Sequence, residues 1–154
     1  MSGTCYRATV TSAIAGEATP RRIHVSAAVI VDDLGRLLVV RKTGTTAFMQ
    51  PGGKPEPGES ASETLSRELA EELGIQVASE DLLALGAFTA AAANEPGFLV
   101  VADVFAADIG SQRPVASAEI AEFCWVTRAD AERLEIAPLA LENFLPVMAE
   151  DAQR

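Results

Sequence analysis

Histidine is nearly absent from this chain: His24 is the only one in 154 residues. It falls in a strand-like apolar run and reads as structural, so a nucleophilic triad built on a histidine base is unattractive. Cysteine is almost as scarce. Cys5 and Cys124 form no Cys-x-x-Cys pair and no disulfide framework, which fits a reducing cytosol. Basic residues are outnumbered, 12 against 22 acidic ones, for a net charge of -10. That balance argues against general affinity for a nucleic-acid polymer, which needs a basic surface. It leaves room for a small phosphorylated ligand, because a bound divalent cation reverses the local sign. Long hydrophobic runs are missing too. The longest weakly polar run, Leu82 to Ala93, is too short and too rich in Ala and Thr to span a bilayer. The N-terminus has no basic leader followed by an unbroken apolar core, so no secretory signal is expected. The expected setting is the cytoplasm, with no membrane partner.

What is present is ordinary for a globular domain: 49% hydrophobic and 22% charged residues, with no biased tract that would predict disorder. The length suits one domain with a proper core. Residues 1–20 form a loosely patterned leader or edge strand, and residues 21–150 the domain. Ile23 to Asp33 is rich in β-branched residues and predicts a buried strand. "DDLGR" is a turn, and Leu37 to Lys42 a second strand, the two making a hairpin. "AFMQ" is a short strand that stops at Pro51. "PGGKPEPGE", with three glycines and three prolines in nine residues, reads as a shaped loop without regular structure.

A helix should follow. Ser60 with Glu63 forms a capping box, Ala61, Leu65, Leu69 and Leu73 make one apolar stripe, and Gly74 is a left-handed cap. "LLALGAFTAA", "FLVVADVFAADI" and "FCWVT" predict further strands, and Asp130 to about Ala149 a second amphipathic helix interrupted at Pro138. Strands, helix, strands, helix point to an α/β fold: a mixed sheet with helices packed on its faces.

The first helix carries an anomaly. Glu68, Glu71 and Glu72 lie within one turn, where like charges weaken a helix by some tenths of a kcal/mol per pair, about 0.2–0.5. They flank the leucine stripe, where solvent is partly excluded and bare negative charge is costly. A solvated acidic face is the ordinary reading of such a cluster. A hard divalent cation is the other, since Mg²⁺ takes carboxylate oxygens, waters and substrate phosphates. The preceding loop suits a ligand: Gly52 and Gly53 permit close backbone approach, Lys54 and Arg67 add positive charge, and Glu59 could hold Arg67 or Lys54 in place. Such a site can cleave a phosphoanhydride, with metal polarising phosphoryl oxygens and a carboxylate taking a proton from water.

The joint spacing narrows this. From Gly53 the chain reads Gly, five residues, Glu59, seven residues, then Arg67-Glu68-Leu69-Ala70-Glu71-Glu72-Leu73-Gly74-Ile75. It resembles the Nudix box, Gly-x5-Glu-x7-Arg-Glu-U-x-Glu-Glu-x-Gly-U with U aliphatic, at every defined position. At average composition a chance match is rarer than about one in a million. The order of elements extends a weaker resemblance across roughly Ile23 to Pro146.

The resemblance implies an α/β/α sandwich with a mixed sheet and the box as loop-helix-loop. It implies hydrolysis of a nucleoside diphosphate linked to another moiety, with Mg²⁺ or Mn²⁺. Carried over by position, Glu68, Glu71 and Glu72 are the metal carboxylates, the Gly52 carbonyl is a further ligand, and Glu68 is also a candidate general base. Arg67 and Glu59 orient the cluster. Family members often place another glutamate before a late Trp-containing strand. Glu119 and Glu122 both precede Trp125, and Glu119 stands at the more familiar distance. Arg41 matches a phosphate-contacting arginine; Lys54 and Gly53 join it as substrate-binding candidates.

Substrate signatures are mostly negative. Ala91 stands where ADP-ribose-type members carry Pro. Ala91, Ala92 and Ala93 occupy the neighbourhood of the Tyr of dinucleoside polyphosphate members, and the only Tyr is Tyr6. The Ser-Gln-Pro-Trp signature of NADH pyrophosphatases is missing. A nucleoside triphosphate, including a damaged one, or a small sugar-nucleotide is left. Phe48, Phe88 and Phe98 are candidates to stack on a base, though each reads first as core. A non-catalytic nucleotide- or metabolite-sensing module is the competing function. Isopentenyl-diphosphate isomerase-like chemistry, which some relatives perform, ranks last, because it leans on a catalytic Cys ahead of the box and neither Cys5 nor Cys124 is placed for it. Many relatives dimerise, and the leader could supply an exchanged strand to a homodimer.

Overall fold

The computed structural model describes residues 19–145. The expected leader strand, Cys5 and Tyr6 lie outside the described residues, apart from the end of the leader.

Eight regular elements position the site: β1 (Arg21–Val29), β2 (Leu37–Lys42), β3 (Gly52–Gly53), α1 (Ala61–Leu73), β4 (Leu83–Ala91), β5 (Phe98–Ala106), β6 (Ile120–Val126) and α2 (Pro138–Asn143). Short 3-10 turns occupy Ser79–Asp81 and Arg128–Glu132. A four-stranded mixed sheet runs β3-β1-β5-β4, with β1 parallel to β5 and the other pairs antiparallel; β2 and β6 form a separate antiparallel pair.

The central strands are buried on both faces, and the alternation of side chains sorts them into two cores. Ala27, Val29, Leu37 and Val39 face one way and pack with Leu139, Ala140 and Phe144 of the α2 region. Ala28, Ile30, Leu38 and Val40 face the other and pack with Leu65, Leu69 and Leu73 of α1. Helix, sheet, helix is the expected three-layer sandwich.

α1 forms as its sequence predicts. Ser60 accepts from the Glu63 N–H while Glu63 accepts from the Ser60 N–H, and Gly74 ends the helix at φ 66°. The loop before β6 then covers its C-terminal carbonyls. The Val115 N–H donates to the Leu73 carbonyl at 3.0 Å and the Ser117 N–H to the Glu72 carbonyl at 3.0 Å. The Ser117 hydroxyl donates to the Glu71 carbonyl at 2.7 Å. This docking brings Glu119 to the acidic end of α1.

Four expectations need correction. The strand predicted over Ile23 to Asp33 begins and ends two to four residues early, at Arg21–Val29. The expected β1–β2 hairpin exists only at its turn: the Leu38 N–H donates to the Ile30 carbonyl and Val31 bridges Leu37, after which the strands join different sheets. Both strands are apolar on both faces, so local pattern does not name their partners, and β5 and β6 supply them. Within the loop "PGGKPEPGE", Gly52–Gly53 is a two-residue strand paired to Ser26 and Ala27. The second long helix, expected from Asp130 to about Ala149, is instead a 3-10 turn, an extended stretch and the six-residue α2 over its described part; residues 146–149 lie outside the described residues. Phe48 N–H donates to the Glu135 carbonyl and Ala137 N–H to the Phe48 carbonyl, at 2.8 and 2.7 Å, which pulls residues 135–137 out straight. Pro138 keeps Ala137 extended (ψ 143°) and restarts the helix at its first position.

Candidate active site

The site is built where β3 crosses the flank of α1. Gly52 has φ 146°, and a Cβ there would stand 1.9 Å from the Ser26 carbonyl oxygen. A Cβ on Gly53 would meet the Glu68 carboxylate at 2.6 Å. Gly52 is therefore a steric necessity, whereas a side chain at Gly53 would push the Glu68 carboxylate out of its place. The two glycines allow the strand to pair with β1 and the Glu68 carboxylate to lie directly against the backbone.

Glu72 sits beneath that crossing and is 1% exposed. One oxygen, Oε1, accepts from the Gly52 N–H at 3.1 Å. The other, Oε2, is buried with no partner. Burial pushes the Glu72 carboxyl up to about 8; the Gly52 N–H opposes this and the neighbouring Glu68 charge adds to it. Glu68 is likewise raised by burial, with the Arg67 guanidinium pulling against it.

Arg67 organises the surface of the cluster. Its Nε and Nη2 donate to the two oxygens of Glu59 at 2.6 and 2.9 Å, a bidentate fork. Nη1 reaches Glu68 at 2.9 Å and Glu71 at 3.4 Å, and Nη2 also donates to the Lys54 carbonyl at 3.1 Å. Hydrogen bonding to Glu59 raises the Arg67 pKa well above its ordinary value. Glu59 is held down to about 2 by Arg67 first and by the Glu56 N–H second. Thr64 Oγ1 donates to Glu59 Oε1 at 2.9 Å. The sequence-predicted pair of Arg67 and Glu59 thus exists as a fixed brace.

A cavity of about 570 Å³ opens above these groups. Glu68, Arg67, Gly52, Gly53, Lys54 and Glu119 line one part of it, and Ile23, Val25, Val100 and Leu139 another. Glu119 stands 3.5 Å from Lys42 Nζ with 63% of its side chain exposed. Glu71 is 54% exposed on the outer face of α1. Among the described residues no three His, Cys, Asp or Glu side chains are gathered as a finished metal cage. Even so, the donors are all hard oxygens, and the free buried Oε2 of Glu72 and the tightly cradled Glu68 are what a hard cation would engage.

Arg41 is not brought into this wall. Its Nε donates to Glu122 Oε1 and its Nη1 to the Thr45 carbonyl, both at 2.9 Å. Lys42, the next residue, lines the cavity instead. Strand alternation offers one of the two and not both: Lys42 continues the Leu38 and Val40 face that packs on α1, and Arg41 the opposite face of Leu37 and Val39. Gln50 and Asn94 also line the cavity and were not singled out by their sequence context. Phe48, Phe88 and Trp125 belong to or pack against the two cores, and Phe98 lies under the Arg21 guanidinium, 5.8 Å from its ring centre.

The sequence model of the NUDIX domain matches residues 20–147. A search of curated protein sequences gives no significant match. Among solved structures, the chain is similar to a mutator MutT protein from Bacillus halodurans, at 26% identity and TM-score 0.61 over 83% of each chain. It is similar to a NUDIX hydrolase from Nitrosomonas europaea, at 25% identity and TM-score 0.62 over 86% of this chain and 89% of that one. A MutT protein from Methanosarcina mazei Go1 shares the fold at 23% identity and TM-score 0.65, over 90% of this chain and all (100%) of the other. With its complete signature seated on this frame, the chain belongs to the Nudix family and is a pyrophosphohydrolase of that fold.

Proposed function

We propose that the chain hydrolyses a phosphoanhydride bond in a nucleoside triphosphate or a small sugar-nucleotide, with Mg²⁺ or Mn²⁺ held by Glu68, Glu71 and Glu72. The Gly52 carbonyl and Glu119 complete the proposed ligand set. The observation that carries the reading is the buried, partnerless Oε2 of Glu72 beside the Glu68 carboxylate. Without a counter-charge, that pair is an unexplained cost in the fold.

When bound, the cation would screen the phosphoryl oxygens and acidify a water. Glu68 is the general base of choice. It lines the cavity, and the Arg67 contact at 2.9 Å fixes its carboxylate. It takes one proton from water as the water oxygen bonds to phosphorus and the bridging P–O bond breaks; the leaving phosphate carries away the bond's electron pair. Arg67 and Glu59 act through Glu68 by holding it. Lys42, Lys54 and Gly53 line the same cavity and are the phosphate contacts of this proposal, with Lys42 taking the role first expected of Arg41.

The test is phosphate or pyrophosphate release from nucleoside triphosphates, oxidised triphosphates, ADP-ribose and nucleotide sugars, with Mg²⁺ and with EDTA. At least one substrate should turn over only with metal, and Glu72→Gln should lower that rate by 10²-fold or more, about 3 kcal/mol of barrier. Turnover that survives Glu72→Gln would remove the glutamate assignment. Metal-independent binding without turnover would favour the sensing module.

A further inference from the structure

Gln50 is 6% exposed and lines the cavity. Its amide cannot turn freely. Nε2 donates to the Ala28 carbonyl at 2.9 Å, which fixes the orientation of the amide and turns Oε1, an acceptor, the other way. That oxygen is buried and has no partner. Asn94, in the β4–β5 connection, contributes the complementary loose end: its Nδ2 is buried, unpartnered and part of a side chain that lines the same cavity. Buried polar atoms are nearly always satisfied, so one lone acceptor and one lone donor on one cavity mark a ligand.

The rest of that wall says which ligand. Ile23, Val25, Ala27, Met49, Val100 and Leu139 are apolar. A hexose seated against these six side chains would turn several hydroxyls onto groups that offer them no hydrogen bond. A hydrocarbon tail would leave both amide atoms unsatisfied. A flat heterocycle can offer a ring N–H to Gln50 Oε1 and a carbonyl to a donor such as Asn94 Nδ2, and it presents apolar faces to the remainder. We infer that the cavity takes the base of a nucleotide and that Gln50 Oε1 selects bases presenting an N–H donor. Gln50 is then a specificity-determining residue of the proposed reaction, and the inference rests on that reaction's site.

The test is binding in Mg²⁺ with each triphosphate in a non-hydrolysable form, imido-bridged at both anhydride positions, which needs no turnover and keeps the cation that an acidic chain requires. Calorimetry measures the affinity of wild type and Gln50→Met for the eight common ribo- and deoxyribonucleoside triphosphates, for ring N-methylated versions of the tightest one, and for its 2′-O-methyl version. Wild type should bind its preferred base at least tenfold more tightly than the N-methylated analogue and tolerate 2′-O-methylation. Gln50→Met should abolish that preference, and where turnover exists the loss should fall on KM. Equal wild-type affinity for the parent and N-methylated bases overturns the inference, as does undiminished discrimination in Gln50→Met or rejection of only the 2′-O-methyl analogue. The wild-type comparison decides even if the variant folds poorly. Base discrimination without hydrolysis would sink the hydrolase reading and leave this one standing.

Discussion

At Glu72 the fold holds a carboxylate where its ionised form is disfavoured. Its ordinary value of 4.5 rises to about 8 in the folded chain, mainly through burial. Below 4.5 both states keep the proton and stability is unaffected. Between 4.5 and 8 the unfolded chain has lost the proton and the folded chain retains it, so rising pH favours unfolding until both are ionised. Metal-free protein should therefore lose melting temperature from pH 5 to pH 8, by several degrees at roughly 2–4 °C per kcal/mol. Glu72→Gln should flatten this limb, and Mg²⁺ should recover wild type more at pH 8 than at pH 5. A flat metal-free profile in wild type would count against the burial account. Glu59 acts with the opposite sign. Its depressed value stabilises the fold above 4.5, and that contribution fades as pH falls toward 2. The glutamates were legible residue by residue because their spacing is itself the signal. Lys42 and Gln50 were not: one depends on which face of β2 meets α1, the other on an unpaired oxygen that only packing reveals.

α1 is the element on which the site depends, and it is also the most locally determined. Its cap, its leucine stripe and its terminal glycine all act within four residues of chain, so the sequence exposes them. The strands are different. β1 and β2 lie next to each other in sequence and pair only at their shared turn, because their continuous apolar runs fit partners far along the chain. The third case is residues 130–145, whose helical periodicity lost to the backbone bonds from Phe48 and to Pro138. A consequence for α1 follows from its autonomy. Ser60→Ala should cost about 1 kcal/mol in urea denaturation by removing the cap. Activity per folded molecule should stay near wild type, since Ser60 is not a ligand or a brace. A stability loss near zero would mean that the loop and Arg67–Glu59 fork start the helix without the cap.

Across the whole molecule, the three layers put an acidic ridge and an apolar recess on one cavity. The sheet supplies the recess through β1 and β5, α1 supplies Arg67 and Glu68, and the loop docked on the end of α1 delivers Glu119. A chain of net charge -10 would repel a polyphosphate unless a cation joined them, so metal and substrate should bind as mutually favourable partners. None of the described helices is long and apolar enough to cross a membrane. The layered architecture was legible from the alternation of elements, whereas the cavity was not, because its walls come from segments scattered between Ile23 and Leu139. The central claim is that the crowded glutamates share a divalent cation, and the direct test is calorimetric titration of Mn²⁺ into wild type and Glu72→Gln at pH 8 without nucleotide. Saturable binding in wild type, weakened at least tenfold in the variant, is the predicted result; no binding in wild type, or equal binding in both, would contradict it.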